Sequence, residues 1–399
     1  MKCKNFACRI CGGEKYSSIF STQIPLSGQV CEDVHTSSKL YPLHVVACKT
    51  CGHVQLQETL NIDLYTDYLY TPSYAKQFQE YISKFVSIVD AEYGDVRDKK
   101  VLEIGSSNGA LLSVFKAKGW KVLGIEPSQI LSDIAASNGI ETLCRFFDET
   151  CRKEIHDIIG IPNIVILRHV LEHLDNLPQI MHALDMCIRG GDILIEVPYL
   201  GRIIKEEQFY AFFHEHLSYF SVRSLRRLLD TIDFHIFQID ENDLEGGSIL
   251  IRARKNIDNT VPSSRILEKY IQMENAMISP NGLMKFSRNI NSEITRFKNM
   301  VLLLVKHGFH LAAWGAGQRG CTLLNICNLC SDEISYIIDA NKNYWWKYVA
   351  GTDIQIVPPE YYLDNKVDKI LIFATGYADS IIEENKEFIE QGGEFIKII

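Results

Sequence analysis

The sequence predicts an α/β protein in three parts, a small metal-stapled front module followed by two doubly wound units. Three observations carry that expectation. Between residue 98 and about residue 254, short β-rich runs alternate with helical segments, and the pattern resumes at His310. Such alternation builds parallel sheets with ligands at the carboxyl ends of their strands. Two Cys-x-x-Cys pairs stand near the N-terminus, Cys8 with Cys11 and Cys48 with Cys51. At 399 residues the chain also exceeds one comfortable hydrophobic core. The expected division is 1–65, 66–255 and 256–399.

The front module is turn-rich and holds six of the twelve cysteines ahead of Gly52. A glycine follows each pair, letting the turn bring backbone N–H groups toward a thiolate. Four thiolates suit tetrahedral Zn2+, and a set of four cysteines leaves no open position for catalysis. The expected zinc is therefore structural and folds a segment too small for its own core. The 36 residues between the pairs imply an intervening hairpin. Ordinary free thiols are the plain alternative, and a redox dithiol lacks the strand–helix–strand context it needs. Cys3, Cys31 and the mateless pair Cys327-x-x-Cys330 read as core or helix-end cysteines.

Residues 65–95 look helical, with Phe78, Ile82, Phe85, Ile88 and Val89 at helical spacing. Within the first ten of these, Tyr65, Tyr68, Tyr70 and Tyr74 could stack on a sugar, donate to an oxyanion, or pack between domains. The central strands read as Lys100–Ile104, Lys121–Ile125, Asn163–Leu167, Asp192–Val197, Phe234–Ile239 and Gly247–Arg252. The first runs into Glu103-x-Gly105-x-x-x-Gly109, and the second ends in Glu126. The glycines would let backbone approach a ligand closely. Glu126 stands 21 residues after Gly105, where a carboxylate can accept from both ribose hydroxyls of a nucleoside. The turn lacks the third glycine of a pyrophosphate loop, and no Gly-Lys-Ser/Thr follows to hold a triphosphate. A nucleoside without a diphosphate fits best, which makes S-adenosylmethionine the expected ligand.

Arg168, His169 and His173 follow the third central strand, facing the cofactor's methionine end. Four apart, the two histidines could instead share a metal, though no third ligand stands nearby in sequence. The densest chemical cluster is His214, Glu215 and His216, set among Phe209, Tyr210, Phe212, Phe213, Tyr219 and Phe220. Burial lowers an imidazole's pKa and a carboxylate raises it, so such a histidine can serve as a general base. The bland reading is a core histidine satisfied by a carbonyl.

Asn256–Ser264 reads as a linker and Ser264–His307 as one long helical stretch. The last unit has strands His310–Trp314, Ile334–Ile338 and Lys369–Ala374. Gly315-x-Gly317-x-x-Gly320 follows the first of them, and Asp339 ends the next, 19 residues beyond Gly320. That is a dinucleotide pattern. A helix N-terminus taking a nucleotide-linked substrate, with Arg319 on a phosphate, fits equally well. The net charge of −9 argues against nucleic acid, and no apolar run reaches spanning length. Reduced cysteines and the absence of an apolar leader core point to the cytoplasm. The oligomeric state stays open, a monomer included.

Over essentially its whole length the chain resembles the three-domain sugar C-methyltransferases that act on nucleotide-linked keto-deoxysugars. The resemblance is carried by the four cysteines, the Glu103–Gly109 loop, Val170–Leu174, His214–Ser221, Gly246–Ser248 and Trp314–Asn325. It implies a zinc module, a class I Rossmann-like methyltransferase domain, and a C-terminal Rossmann-like domain that helps hold the substrate's nucleotide. It implies that Glu103, Gly105, Gly109, Glu126 and His169 line the S-adenosylmethionine site. It puts the general base on His216, with Glu215, His214, His173 and Tyr70 in support, Tyr68 being the alternative to Tyr70. The family commonly has tyrosine where this chain has Phe213. That departure leaves O- or N-methylation of a nucleotide-linked sugar as the alternative to C-methylation.

Overall fold

The computed structural model describes residues 6–26, 30–33, 39–59, 76–94, 96–255 and 265–398. Tyr65, Tyr68, Tyr70 and Tyr74 lie outside the described residues.

The front segment contributes β1 (Tyr16–Ile24), β2 (Val30–Cys31), β3 (Tyr41–Cys48) and β4 (Val54–Leu56). The implied hairpin is β1 against β3, antiparallel from Tyr16↔Cys48 to Ile24↔Tyr41. The central unit follows with β5 (Lys100–Ile104), β6 (Lys121–Ile125), β7 (Thr142–Leu143), β8 (Ile164–Arg168), β9 (Asp192–Pro198), β10 (Ser218–Tyr219), β11 (Phe234–Asn242) and β12 (Ser248–Lys255). The last unit adds β13 (Leu311–Trp314), β14 (Tyr336–Ile338), β15 (Tyr348–Val349), β16 (Gln355–Val357), β17 (Lys369–Ile372) and β18 (Glu394–Lys397).

The central sheet runs β11-β12-β9-β8-β5-β6-β7, and only β12 is antiparallel to its neighbours. Every residue of β8 and β9 is buried, as expected of parallel strands covered by helices on both faces. The chain leaves β5 toward β6 on one side and returns to β8 on the other. That switch opens a crevice at the carboxyl ends, where Glu103, Glu126 and Arg168 stand. The last unit's sheet runs β18-β17-β13-β14-β16-β15-β2, parallel except at β15 and β2.

The front segment is shared between both larger units. Its strand β2 completes the C-terminal sheet, and β10 of the central unit completes the sheet β1-β3-β4-β10. One face of the segment, with Cys8, Ile10, Val46 and Cys48, joins the central core. The other, with Ile19, Leu43, Val45 and Leu56, packs with Phe212, Phe286, Ile290 and Leu324. A segment without its own core thus borrows two.

The single helical stretch expected over Ser264–His307 is two helices, Arg265–Met277 and Pro280–Lys306. Proline cannot continue a helix from the preceding turn. Ser279 instead starts a new one, its side chain accepting from Gly282 N–H at 3.0 Å. The helix expected over 65–95 spans Lys76–Tyr93 within the described residues. No helix among the described residues is long and apolar enough to cross a membrane.

Candidate active site

The four cysteines Cys8, Cys11, Cys48 and Cys51 converge, their sulfurs all within 4.8 Å of one another. Cys8 Sγ lies 3.5 Å from Cys51 Sγ, and Cys11 Sγ 3.6 Å from Cys48 Sγ. A tetrahedron with Zn–S bonds near 2.3 Å has edges of about 3.8 Å, so the donor set fits zinc and is too wide for disulfides. The hydrogen bond from Cys51, helped by backbone N–H groups, pulls the Cys8 thiol down to about 5. Each knuckle closes identically, Gly12 N–H to the Cys8 carbonyl and Gly52 N–H to the Cys48 carbonyl, both at 2.9 Å.

The glycine loop after β5 is held by Glu126. Its carboxylate accepts from Ser107 N–H and from Ser128 N–H, each at 2.9 Å. Gly105 has φ +71°, yet its side-chain space is claimed by protein: a Cβ would sit 2.2 Å from Val170 Cγ2. At Gly109 the neighbour is Ile140. The close approach expected of a ligand is therefore made first by the chain itself. The loop fits a polar ligand for another reason. Glu103 Oε2, the Ser106 and Ser107 hydroxyls and Arg168 Nη2 are buried without hydrogen-bond partners among the described residues. Burial pushes the Glu103 carboxyl up to about 8. Arg168 pairs with Glu196 at 2.5 Å, and Tyr81 and Asn242 also donate to that carboxylate. Sequence reading passed over Glu196 and Tyr81, whose strand and helix show no local chemical motif.

Next to this loop, a short turn at Leu171–His173 faces the His214–His216 segment. The His173 and His216 rings meet edge to face, centroids 4.9 Å apart. His173 Nδ1 donates to the Glu215 carbonyl at 2.8 Å, which leaves Nε2 as the basic nitrogen. His216 is buried against Phe213, centroids 4.1 Å apart. Burial, with His173 and Arg319 nearby, holds its pKa well below the usual imidazole range. Glu172 is 1% exposed, and neither carboxylate oxygen has a hydrogen-bond partner among the described residues. His169, at the end of β8 with φ +51°, brings Nδ1 to 3.4 Å from Glu172 Oε1. Donor atoms of Glu172, His173 and His216 lie within 4.8 Å of one another. Sequence reading singled out the two histidines and missed Glu172, although it directly precedes His173.

The expected supporting residues His214 and Glu215 point in different directions. His214 turns away from this group: its Nε2 donates to the Pro42 carbonyl at 3.1 Å, beside Tyr41. Its Nδ1 is buried without a hydrogen-bond partner among the described residues. The Glu215 carboxylate, expected to orient His216, also reaches the C-terminal unit. That carboxylate takes the side-chain amide of Gln318, and burial pushes it up to about 8. The ring that Glu215 orients is His173, and it does so through its carbonyl. Tyr219 does not replace the hydroxyl missing at Phe213 either. Its own hydroxyl accepts from Phe213 N–H at 3.2 Å and donates to the Phe213 carbonyl.

The second glycine motif borders the same site. Gln318 and Arg319 open the helix Gln318–Cys327; Gln318 reaches Glu215, and Arg319 donates to Gln208 at 3.3 Å. Asp339 accepts from Ala316 N–H and Asn341 N–H, both at 2.8 Å, the same loop-holding use that Glu126 serves.

Three family models match in order: "Putative zinc binding domain" over residues 8–64, "Methyltransferase domain" over 74–239 and "C-methyltransferase C-terminal domain" over 243–399. The chain is 29% identical over 395 residues to C-methyltransferase NovU of Streptomyces niveus, covering 98% of this chain and 94% of that protein. Among solved structures, magnesium protoporphyrin IX methyltransferase of Synechocystis PCC 6803 with bound SAM is 15% identical, with TM-score 0.35, over 48% of this chain and 88% of that one. A SAM-dependent methyltransferase from Archaeoglobus fulgidus is 15% identical, with TM-score 0.35, over 44% of this chain and 94% of that one.

Proposed function

We propose that this chain is an S-adenosylmethionine-dependent C-methyltransferase of the three-domain kind its matches describe, and that its methyl acceptor is a carbon beside the ketone of a nucleotide-linked keto-deoxysugar. The observation that carries the proposal is the imidazole pair of half-buried His173 and buried His216, beside a buried Glu172 carboxylate that accepts no hydrogen bond from the described residues. Glu103, Gly105, Gly109, Glu126 and His169 border the crevice and would hold the donor. When bound, the donor supplies an electrophilic methyl group on a sulfonium.

His216 removes a proton from the carbon next to the ketone. A pKa below the ordinary histidine range keeps it unprotonated, and so able to accept, at neutral pH. Once protonated, it is a buried cation, and the Glu172 carboxylate is the anion positioned to balance it. His173, fixed by the Glu215 carbonyl, keeps the His216 ring oriented and borders the enolate oxygen. Phe213 closes one side of the imidazole and excludes water. Tyr70 belongs to the same reading as a donor to the enolate oxygen, and Arg319 as a partner for the substrate's phosphates. The working units are 1–65 for zinc, 66–255 for the donor and 256–399 for the nucleotide.

The test is His216→Asn. The variant should bind S-adenosylmethionine as the parent does and fail to methylate a panel of nucleotide-linked 4-keto sugars. In heavy water the parent should exchange the C–H beside the ketone and the variant should not. Methylation without loss of that C–H would mean transfer to oxygen or nitrogen, and full turnover by the variant would remove His216 from the reaction.

A further inference from the structure

We propose that Arg9, inside the first zinc knuckle, is a positioning residue for His216: its guanidinium locks the backbone of the loop that carries this imidazole. The inference rests on reading His216 as the base.

Arg9 lies between Cys8 and Cys11 and is only 7% exposed. Its backbone N–H is fixed by Gln55 Oε1 at 2.8 Å. Its side chain makes five contacts, one for each N–H of a guanidinium. Nε donates to Asp175 at 2.9 Å. Nη1 donates to the carbonyls of Leu56 at 2.5 Å and Leu217 at 3.2 Å. Nη2 donates to the Glu58 carbonyl at 2.9 Å and to Thr59 Oγ1 at 3.0 Å. One side chain therefore ties the strand after the second knuckle to Asp175, two residues beyond His173, and to Leu217, the residue after His216.

The Leu217 peptide is held from both sides. Its carbonyl accepts from Arg9 and from Leu56 N–H at 2.9 Å, and its N–H donates to the Glu172 carbonyl at 2.8 Å. Ser218 and Tyr219 then pair with Gln55 and Val54, and His53 meets the Ser218 hydroxyl at 3.2 Å. The base is thus suspended between the turn that carries His173 and a strand rooted in the zinc site.

A buried guanidinium is costly, and its one carboxylate partner is 42% exposed. The remaining acceptors include three backbone carbonyls, Leu56 and Glu58 on the segment after the second knuckle and Leu217 beside His216. The bonds to Asp175 and Leu217 lie outside the knuckle and fix its distance from the segments that carry His173 and His216. A displacement of about 1 Å at a reacting group can cost on the order of 100-fold in rate.

The test uses the full, zinc-loaded chain carrying Arg9→Ala. It should keep one zinc and bind S-adenosylmethionine within about threefold of the parent. Methyl transfer to the keto-sugar panel should fall about 100-fold. Millimolar guanidinium should restore it at least about tenfold, and hydrogen exchange at Leu217 and Ser218 should quicken while Val101–Ile104 stay protected. Should the alanine variant not fold, Arg9→Lys keeps the charge and stem but has only three donors, so the same local exchange and a lower rate are expected. Turnover within about threefold of the parent in either variant would overturn the proposal. A loss without faster exchange at 217–218 would also do so. If His216→Asn is inactive while Arg9→Ala is not, only this inference fails; if His216→Asn turns over fully, the reading beneath it fails.

Discussion

Replacing Gly105 by alanine should damage two functions that meet at one atom contact. The residue sits at φ +71°, and the left-handed region costs an L-residue about 1–2 kcal/mol. The new methyl would also stand 2.2 Å from Val170 Cγ2. Forcing a methyl into a packed site typically costs about 1–3 kcal/mol. The expected destabilisation of Gly105→Ala is therefore roughly 2–5 kcal/mol. Val170 lies two residues before Glu172 and three before His173, so the same push reaches the imidazole pair. Val170→Ala removes the clashing methyl but leaves the backbone strain. In the double variant the steric part should vanish, giving a coupling of about 1–3 kcal/mol in favour of the pair.

The assay is urea unfolding followed by Trp120, which is buried in the central unit and donates to Asp90. Exchanging the other three tryptophans for phenylalanine isolates that signal. Donor titration and turnover are measured alongside. A Gly105→Ala cost below about 1 kcal/mol would refute the strain argument. Strict additivity with Val170→Ala would refute the contact.

Other outcomes follow from the same geometry. Chelation, or Cys51→Ser, should release one zinc per chain and lower stability. It should also speed exchange at Leu217–Tyr219, since β10 pairs with β4 beside the second knuckle; chelation that leaves those amides unchanged would uncouple the module from the site. The Glu103 carboxyl is raised to about 8. Its contribution to stability is full below the unfolded value near 4.5 and is lost as pH rises through about 8. Without donor, Glu103→Gln should therefore gain melting temperature over the parent at pH about 9 and not at pH about 4; a gain independent of pH would contradict this. Because His216 is held below the ordinary imidazole range, the acid limb of kcat/KM should fall below pH 6.5. An acid limb at or above that value would speak against a buried neutral base.

The central strands were readable nearly to the residue because each is a buried apolar run bounded by turn residues, Lys100–Ile104 and Lys121–Ile125 among them. The strands that sequence could not supply are short ones whose identity depends on a remote partner. Val30–Cys31 is a strand because Tyr348–Val349 lies beside it, and Ser218–Tyr219 because Val54–Gln55 does. No period is measurable over two residues. The zinc ligands were legible because their chemistry fixes their spacing. At the catalytic segment, sequence adjacency misled. His214, Glu215 and His216 read as one cluster, yet the loop sends them to the Pro42 carbonyl, Gln318 and His173 respectively. Glu172 escaped notice because the imidazole of His216 reaches it only through the fold.

That divergence explains why this site needs three units. A loop whose successive side chains point to the front module, the C-terminal unit and the central sheet cannot be ordered by any one of them. His214 is held by the front module, Glu215 by the helix Gln318–Cys327, and His216 by the turn after β8. Each anchor draws one side chain of the segment in its own direction. If His216 is the base, as proposed, its segment is held by contacts with all three units, the zinc-bearing one included.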